Sequence, residues 1–299
     1  MRCLGWFSLL VAVSVEGAVS GDARIRSKAG SSEIVITTTS RFAGAITSLT
    51  WNGRGFIDNA DHGRQLQSAA NFDAGSRFTP ETFNPTEAGS RFDGAGPKST
   101  SVLHALTAKG KVLSTVNQMA FWLRAGEKSG GNLAKNTTAL SHHRVKKTVT
   151  LGAHGLPHAI GYHVTFTIPH GECHRYAQFE AVTGYMPAAF SKFHAYDLKS
   201  KKLMPLTDGP GEQRHPVILS TPDAKHAMGV WSPAQPSPGY GRWRFKQEKV
   251  VKWNCVFRVT HPRAVRTGEH KFPCYVMVGS LQNVTATISK LHRRFAKGR

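Results

Sequence analysis

A period-two alternation of apolar and polar side chains constrains this chain more than any other feature. In Tyr162-His163-Val164-Thr165-Phe166-Thr167-Ile168 the apolar side chains take every second place. A strand turns such a pattern to one face, whereas a helix would scatter it. Segments 33–38, 45–51, 102–107, 118–123, 144–151, 160–168 and 176–183 carry β-branched or aromatic residues in the same rhythm. So do 217–221, 226–231, 250–259 and 272–278. The gaps between them have the length of turns and hairpins. Nowhere do strands alternate with long helical patterns, which argues against a parallel α/β fold. The expected fold class is all-β, a large antiparallel β-sandwich with one C-terminal helix. For that helix, Val284, Ile288, Leu291 and Phe295 form a single apolar stripe. Asn283 is placed to cap its start, and Lys290, Arg293, Arg294 and Lys297 crowd its end, where cations suit the helix dipole.

The first twenty residues read as a secretory signal peptide. Arg2 is followed by an apolar run over 4–15 and by Ala18-Val19-Ser20, which puts the cut before Gly21. The run is too short to span a bilayer, and no later segment is long and apolar enough to do so. The expected location is secreted or periplasmic, with no membrane span. No fixed-period repeat or low-complexity linker divides the remainder, so residues 21–299 are expected to form a single domain. The balance of 39 Lys and Arg against 18 Asp and Glu favours polyanionic partners. In an exported setting these are uronic-acid polysaccharides, sulfated glycans, anionic lipid surfaces or extracellular nucleic acid. A solvated basic surface with no specific partner is the plain alternative.

Beyond the leader lie three cysteines, Cys173, Cys255 and Cys274. An odd count leaves at least one without an internal partner, and the lack of any C-x-x-C pair argues against a thiolate zinc site. His154 and His158 are four apart, but Gly155 and Pro157 between them disfavour a helical metal face. The pair His142-His143 reads as a loop feature. Neither H-E-x-x-H nor G-x-S-x-G occurs. No metal and no cofactor are expected.

Four polar groups interrupt the alternation. The first is Asp58-Asn59-Ala60-Asp61-His62-Gly63-Arg64-Gln65-Leu66-Gln67. Its planar amides, carboxylates and guanidinium match the dense donors and acceptors of sugar hydroxyls, and Asp61 beside His62 suits proton transfer. An Asx-rich turn is the plain reading. The second is Phe83-Asn84-Pro85-Thr86-Glu87-Ala88-Gly89-Ser90-Arg91-Phe92-Asp93-Gly94, where Pro85 and the glycines disfavour a long helix and favour a rigid loop presenting Asn84, Glu87 and Arg91. The third comprises Glu180, expected to share a strand face with Gln178 and Val182, and Glu212 in a loop before a strand. Carboxylates at such places suit acid–base work, and ion pairing is their plain reading. The fourth is Pro238-Gly239-Tyr240-Gly241-Arg242-Trp243-Arg244-Phe245, whose aromatics suit stacking on sugar rings or on bases.

Gly44-Ala45-Ile46-Thr47-Ser48-Leu49, with Asn52-Gly53 and Phe56-Ile57 after it, resembles the opening strands of the galactose mutarotase-like superfamily. That group holds aldose 1-epimerases and, on the same β-supersandwich, domains of polysaccharide lyases and glycoside hydrolases. The resemblance implies the supersandwich fold and carbohydrate chemistry. The epimerase pattern, a His in an Asn-x-Thr-x-His context with a second His downstream, does not occur, so it implies lyase or hydrolase chemistry ahead of epimerisation.

Together these readings give an expected carbohydrate-active enzyme whose substrate is a glycan, anionic by the charge balance. The candidate catalytic residues are His62, Glu87, Glu180 and Glu212. The candidate substrate-binding residues are Asp61, Arg64, Gln65, Asn84, Arg91, Tyr240, Trp243, Lys252 and Asn254. The alternative is a non-catalytic binding module for glycan or extracellular nucleic acid. Groups 61–67 and 84–91 are expected to share one cleft with Glu180 or Glu212, and His62→Ala and Glu87→Gln to lower activity without unfolding the chain. A final hairpin is expected to place Cys255 opposite Cys274, Phe257 opposite Phe272 and Trp253 opposite Val276. The thiols would be either bridged or free and buried, and Lys252 and Asn254 would turn to the other face.

Overall fold

The computed structural model describes residues 19–296, so all but the last two residues of the expected leader lie outside it. In chain order the strands begin with Ala23–Ala29 (β1), Ser32–Thr38 (β2), Ile46–Trp51 (β3), Arg54–Gly55 (β4), Leu66–Phe72 (β5), Pro85–Thr86 (β6), Val102–Lys109 (β7) and Val112–Phe121 (β8). A small hairpin of Lys128–Ser129 (β9) and Asn132–Leu133 (β10) precedes Leu140–Leu151 (β11), Ala159–Ile168 (β12), Tyr176–Pro187 (β13), Lys192–Tyr196 (β14) and Leu203–Pro205 (β15). The rest are Gly211–Gln213 (β16), Val217–Ser220 (β17), Ala227–Trp231 (β18), Tyr240–Phe245 (β19), Val250–Thr260 (β20) and Gly268–Gly279 (β21), followed by helix α1 over Leu281–Ala296.

All strand pairs are antiparallel, and they form two layers. One runs β1-β2-β3-β5-β13-β20-β19-β16. The other runs β7-β8-β11-β12-β21-β18-β17-β14-β15. The short β6 pairs with β5 through Thr86 and with β8 through Pro85 and Thr86, stitching the layers together at one place. The all-β sandwich expected from the alternation is the fold observed. Among the described residues no helix is long and apolar enough to cross a membrane.

The apolar halves of the alternating strands meet between the layers. Tyr162, Val164 and Phe166 of β12 face Phe179 of β13 and Trp253, Cys255 and Phe257 of β20 in one cluster. Each aromatic buried there contributes about 3–5 kcal/mol against truncation to Ala. The expected final hairpin does not form. β20 pairs with β13 and β19, and β21 with β12 and β18, so the two strands lie in opposite layers. Two of its expected contacts nonetheless occur, across the sandwich core. Cys274 Sγ lies 3.8 Å from Cys255 Sγ, and the Phe257 and Phe272 rings stack at 4.5 Å. Both thiols are free. The polar stretch between the strands is a crossover from one layer to the other.

A bulge corrects the expected face of Glu180. The β13 register shifts between Glu180 and Val182 against β20, and between Glu180 and Thr183 against β5. The extra residue moves Ala181 and Val182 both into the core, so Glu180 shares its face with Gln178, Thr183 and Tyr185 and not with Val182. The helix cap is also corrected. α1 starts at Leu281, and Ser280 and Asn283 exchange bonds, Asn283 N donating to Ser280 Oγ and Ser280 N donating to Asn283 Oδ1. Ser280 is therefore the cap, with Asn283 completing a reciprocal box. The helix lays Val284, Ile288 and Leu291 on Trp231, Tyr275 and Met277 of β18 and β21.

Candidate functional site

The outward face of the β5-β13-β20-β19-β16 layer carries a cleft of about 350 Å³. Strand alternation puts polar residues there and apolar ones in the core. β5 contributes Gln67 and Asn71, β13 contributes Gln178, Glu180, Thr183 and Tyr185, and β20 contributes Lys252 and Asn254. β19 adds Gly241, Arg242 and Trp243, and Glu212 comes from β16. The walls are completed by Glu81, Asn84, Thr86 and Trp122. Groups 61–67 and 84–91 therefore do reach one cleft with Glu180 and Glu212, through Gly63, Gln67, Asn84 and Thr86.

Glu180 and Glu212 both lean over β20. Glu180 Oε2 accepts from Thr183 Oγ1 at 2.9 Å and from Asn254 Nδ2 at 3.4 Å. Glu212 Oε1 accepts from Arg258 Nη2 at 2.7 Å, and Arg258 Nε donates to Gln178 at 3.2 Å. Asn254 Oδ1 is buried without a hydrogen-bond partner, so its amide has an acceptor to offer. A Cβ added at Gly241 would lie 2.1 Å from that oxygen. Glycine at 241 is what lets the Asn254 amide cross β19 toward the cleft. Lys252 Nζ lies 3.4 Å from Tyr185 Oη. Burial opposes its charge, but Tyr185 and Glu180 outweigh that and raise its pKa above the ordinary lysine value, so it remains an ammonium.

Two tryptophans flank these groups. Trp243 is 42% exposed and stacks on Phe245 at 5.5 Å and 12°, with Phe245 in turn stacked on Tyr185 at 6.3 Å. Trp122 lies over Gly63, where a Cβ would come within 2.7 Å of its Cη2. On the opposite wall Glu81 adopts φ 66°, uncommon for a non-glycine residue, with its N–H held by Asn71 Oδ1 at 2.9 Å. Arg242 is fixed by Thr207 and Gln213.

Several candidates lie elsewhere. His62 is buried, its Nδ1 2.7 Å from the Gly94 carbonyl and its Nε2 2.9 Å from that of Arg41, which leaves no ring nitrogen for substrate. Glu87 is fully buried, pairs with Lys147 and accepts from Ser68 N at 3.0 Å. Asp61 accepts from Gly63 N as in an Asx turn and pairs with Arg64 at 3.0 Å, while Arg64 also meets Glu248 at 2.9 Å. Gln65 is buried, with its Nε2 donating to the Asp61 carbonyl. Arg91 is turned outward to Glu127 and the Lys128 carbonyl. Tyr240 is in the core, its hydroxyl accepting from Ser232 N at 3.0 Å. Of the candidates, Glu180, Glu212, Asn84, Trp243, Lys252 and Asn254 line the cleft.

Glu81, Trp122, Gln178 and Tyr185 line it too and were not singled out from sequence. Gln178 had a signal, because Gln178 and Glu180 alternate with the core residues Ala177, Phe179 and Ala181. Glu81 and Trp122 are brought in by turns whose geometry the sequence pattern does not encode.

No family model and no curated protein matches this sequence. Among solved structures, the chain is similar to an α-galactosidase from Lactobacillus brevis, at 9% identity and a TM-score of 0.46, over 87% of this chain and 40% of that one. It is similar to a 4-α-glucanotransferase from Thermococcus litoralis, at 10% identity and a TM-score of 0.38, over 88% and 40%. It is also similar to the Slr1438 protein from Synechocystis, at 8% identity and a TM-score of 0.41, over 86% and 96%. The chain thus spans well under half the length of the first two.

Proposed function

We propose that this is an exported carbohydrate-active protein that holds a glycan in the cleft and cleaves it with Glu180 and Glu212. The observation that carries the reading is the gathering, on one open face, of an exposed Trp243, a second indole at Trp122, two hydrogen-bonded carboxylates, and the Lys252 and Asn254 donors. Indole faces pack on the apolar faces of sugar rings, and planar amides and carboxylates bind the hydroxyls around their edges. Hydrolysis of a glycosidic bond needs one carboxyl group to protonate the leaving oxygen. A second serves as base or nucleophile, and the separation of the pair decides the stereochemical course. His62 and Glu87 have no part in this mechanism.

The lining carries three carboxylates, Glu81, Glu180 and Glu212, against two cations, Arg242 and Lys252. The basic surplus of the chain is therefore not concentrated in the cleft. That balance supports a neutral glycan ahead of an anionic one. A lyase reading draws on a narrower observation, the Tyr185 hydroxyl beside the Lys252 ammonium with Asn254 next to it on β20. There Lys252 and Asn254 would neutralise a uronate carboxylate, Glu180 would take the ring proton, and the Tyr185 phenol, kept protonated by burial, would give its proton to the leaving oxygen. Incubation with neutral and uronic polysaccharides separates the two. New reducing ends without ultraviolet-absorbing unsaturated ends support hydrolysis, and unsaturated ends on a uronic substrate support the lyase reading. Binding with neither product leaves the non-catalytic module.

A further inference from the structure

A second cluster lies apart from the cleft, where the start of β11 meets the segment before β13. His143 and His174 are each 2% exposed, and both rings stack on Phe72, at 4.7 Å and 28° and at 4.6 Å and 27°. Phe83 closes the box from another side, 6.0 Å from His143 and 5.6 Å from His174. Aromatic packing therefore fixes both imidazole planes before any polar partner is considered. Into this apolar box reaches one carboxylate. Glu172 Oε2 lies 2.7 Å from His174 Nε2 and 3.2 Å from His143 Nε2, and one ligand atom from each of the three residues falls within 4.8 Å of the others.

The polar groups here are not satisfied by the protein alone. Neither nitrogen of His143 makes an aligned hydrogen bond, and nor does His174 Nδ1. Buried imidazoles left in that state are costly.

We propose that His143, His174 and Glu172 form a binding site for a divalent transition metal of the zinc class. Two imidazoles and a carboxylate are a donor set that zinc accepts at about 2.0–2.2 Å, with ligand atoms then roughly 3.3 Å apart in a tetrahedron. The observed separations of 2.7 and 3.2 Å approach that spacing. Glu172, with a quarter of its side chain exposed, has room to swing to it. Three protein ligands would leave a fourth position open, and a cavity of about 400 Å³ that includes Lys135, Asn136, His142 and Cys173 adjoins Glu172 and His174. Asp73 Oδ1 stands 3.6 Å from His174 Nδ1, where a carboxylate orients a ligating histidine from behind. Bound metal would tie β11 to the approach to β13 at one point.

The test is a titration of the chelator-treated protein with zinc ions alone, read by calorimetry and by thermal unfolding. One ion per chain with a raised melting temperature is expected. Glu172→Gln, at a partly exposed position, should keep the fold and lose at least about tenfold in affinity, and Asp73→Asn should weaken binding by roughly 10–100-fold. His174→Ala should abolish the site. If it fails to fold, the Glu172→Gln titration decides the matter. Zinc binding of unchanged stoichiometry and affinity in Glu172→Gln, or no saturable binding by the parent chain, overturns the proposal.

Discussion

Lys147 and Glu87 form an ion pair in which neither side chain is exposed. The pair joins the two layers. Glu87 follows β6 and holds Ser68 N of β5, Lys147 projects from β11, and the Tyr162 hydroxyl of β12 meets Ser68 Oγ at 2.9 Å. Burial, then Glu87, drives the Tyr162 phenol well above its ordinary pKa, so it stays protonated as a donor. Removing one charge of a buried pair leaves the other uncompensated, at about 3–5 kcal/mol. Glu87→Gln should therefore lower stability by that order in urea unfolding, and a second change, Lys147→Met, should recover part of the loss. A Glu87→Gln variant within about 0.5 kcal/mol of the parent, the usual range for an uninvolved surface site, contradicts this structural role.

Cys173, Cys255 and Cys274 should differ sharply in reactivity. Cys255 and Cys274 are fully buried, while Cys173 is exposed. Burial raises the Cys255 thiol well above its ordinary pKa, and the hydrogen bond with Cys274 adds to this. Thiolate is the reactive form. A thiol reagent followed by mass spectrometry should mark Cys173 in the native protein, and Cys255 and Cys274 only after denaturation. Labelling of Cys255 or Cys274 in the native state contradicts the packing.

Stability should fall as pH drops below about 6.5, the ordinary histidine value. Burial lowers the pKa of His163 and His194 in the folded chain, and of His154, where Arg294 adds to it. Below 6.5 the unfolded chain binds protons that the folded chain does not, so stability rises with pH through this window and levels off above it. Melting temperatures between pH 5 and 8 test the sign, and a flat or falling profile contradicts it.

Gly241→Ala isolates the Asn254 amide. The new Cβ meets Asn254 Oδ1 at 2.1 Å, so the amide must move. The β19–β20 ladder does not depend on that amide, because its backbone pairing runs from Tyr240 to Phe245. Retained folding with glycan affinity reduced about as far as in Asn254→Ala is expected. Parent-like affinity would mean that the amide does not touch ligand.

The layers were legible because burial on one face imposes a period of two, and segments such as 160–168 and 250–259 kept it. Strand β5 was hidden for the opposite reason. Its core positions include Ser68 and Ala70, and its outward ones include Gln67 and Asn71, so the polar cleft face masked the pattern. The pairing of β20 with β21 failed because alternation fixes which way a side chain points but not which strand lies alongside. Two core-facing strands in opposite layers give the same contacts at Cys255–Cys274 and Phe257–Phe272 as a hairpin would. His62 and Glu87 drew notice as polar residues in polar strings, yet both are used inside, because buried backbone carbonyls and Lys147 also need partners. Glu180, Lys252 and Asn254 were recognisable as polar positions on strands with an apolar opposite face, whereas Glu212, expected in a loop before a strand, stands on the short strand β16 between Gly211 and Gln213. The β13 bulge that aims Glu180 had no marker in the sequence.

The central claim is that Glu180 and Glu212 cleave a glycan held in the cleft. It is tested most directly by measuring product formation from a panel of neutral and uronic polysaccharides with the parent chain, Glu180→Gln and Glu212→Gln. The account predicts that one glycan is cleaved and that each substitution lowers the rate about 10²–10⁴-fold, the usual share of a positioned acid or base. Melting temperatures should stay near the parent value, since both residues stand on the open face. Cleavage at parent rates by both variants, or a panel left uncleaved, contradicts it.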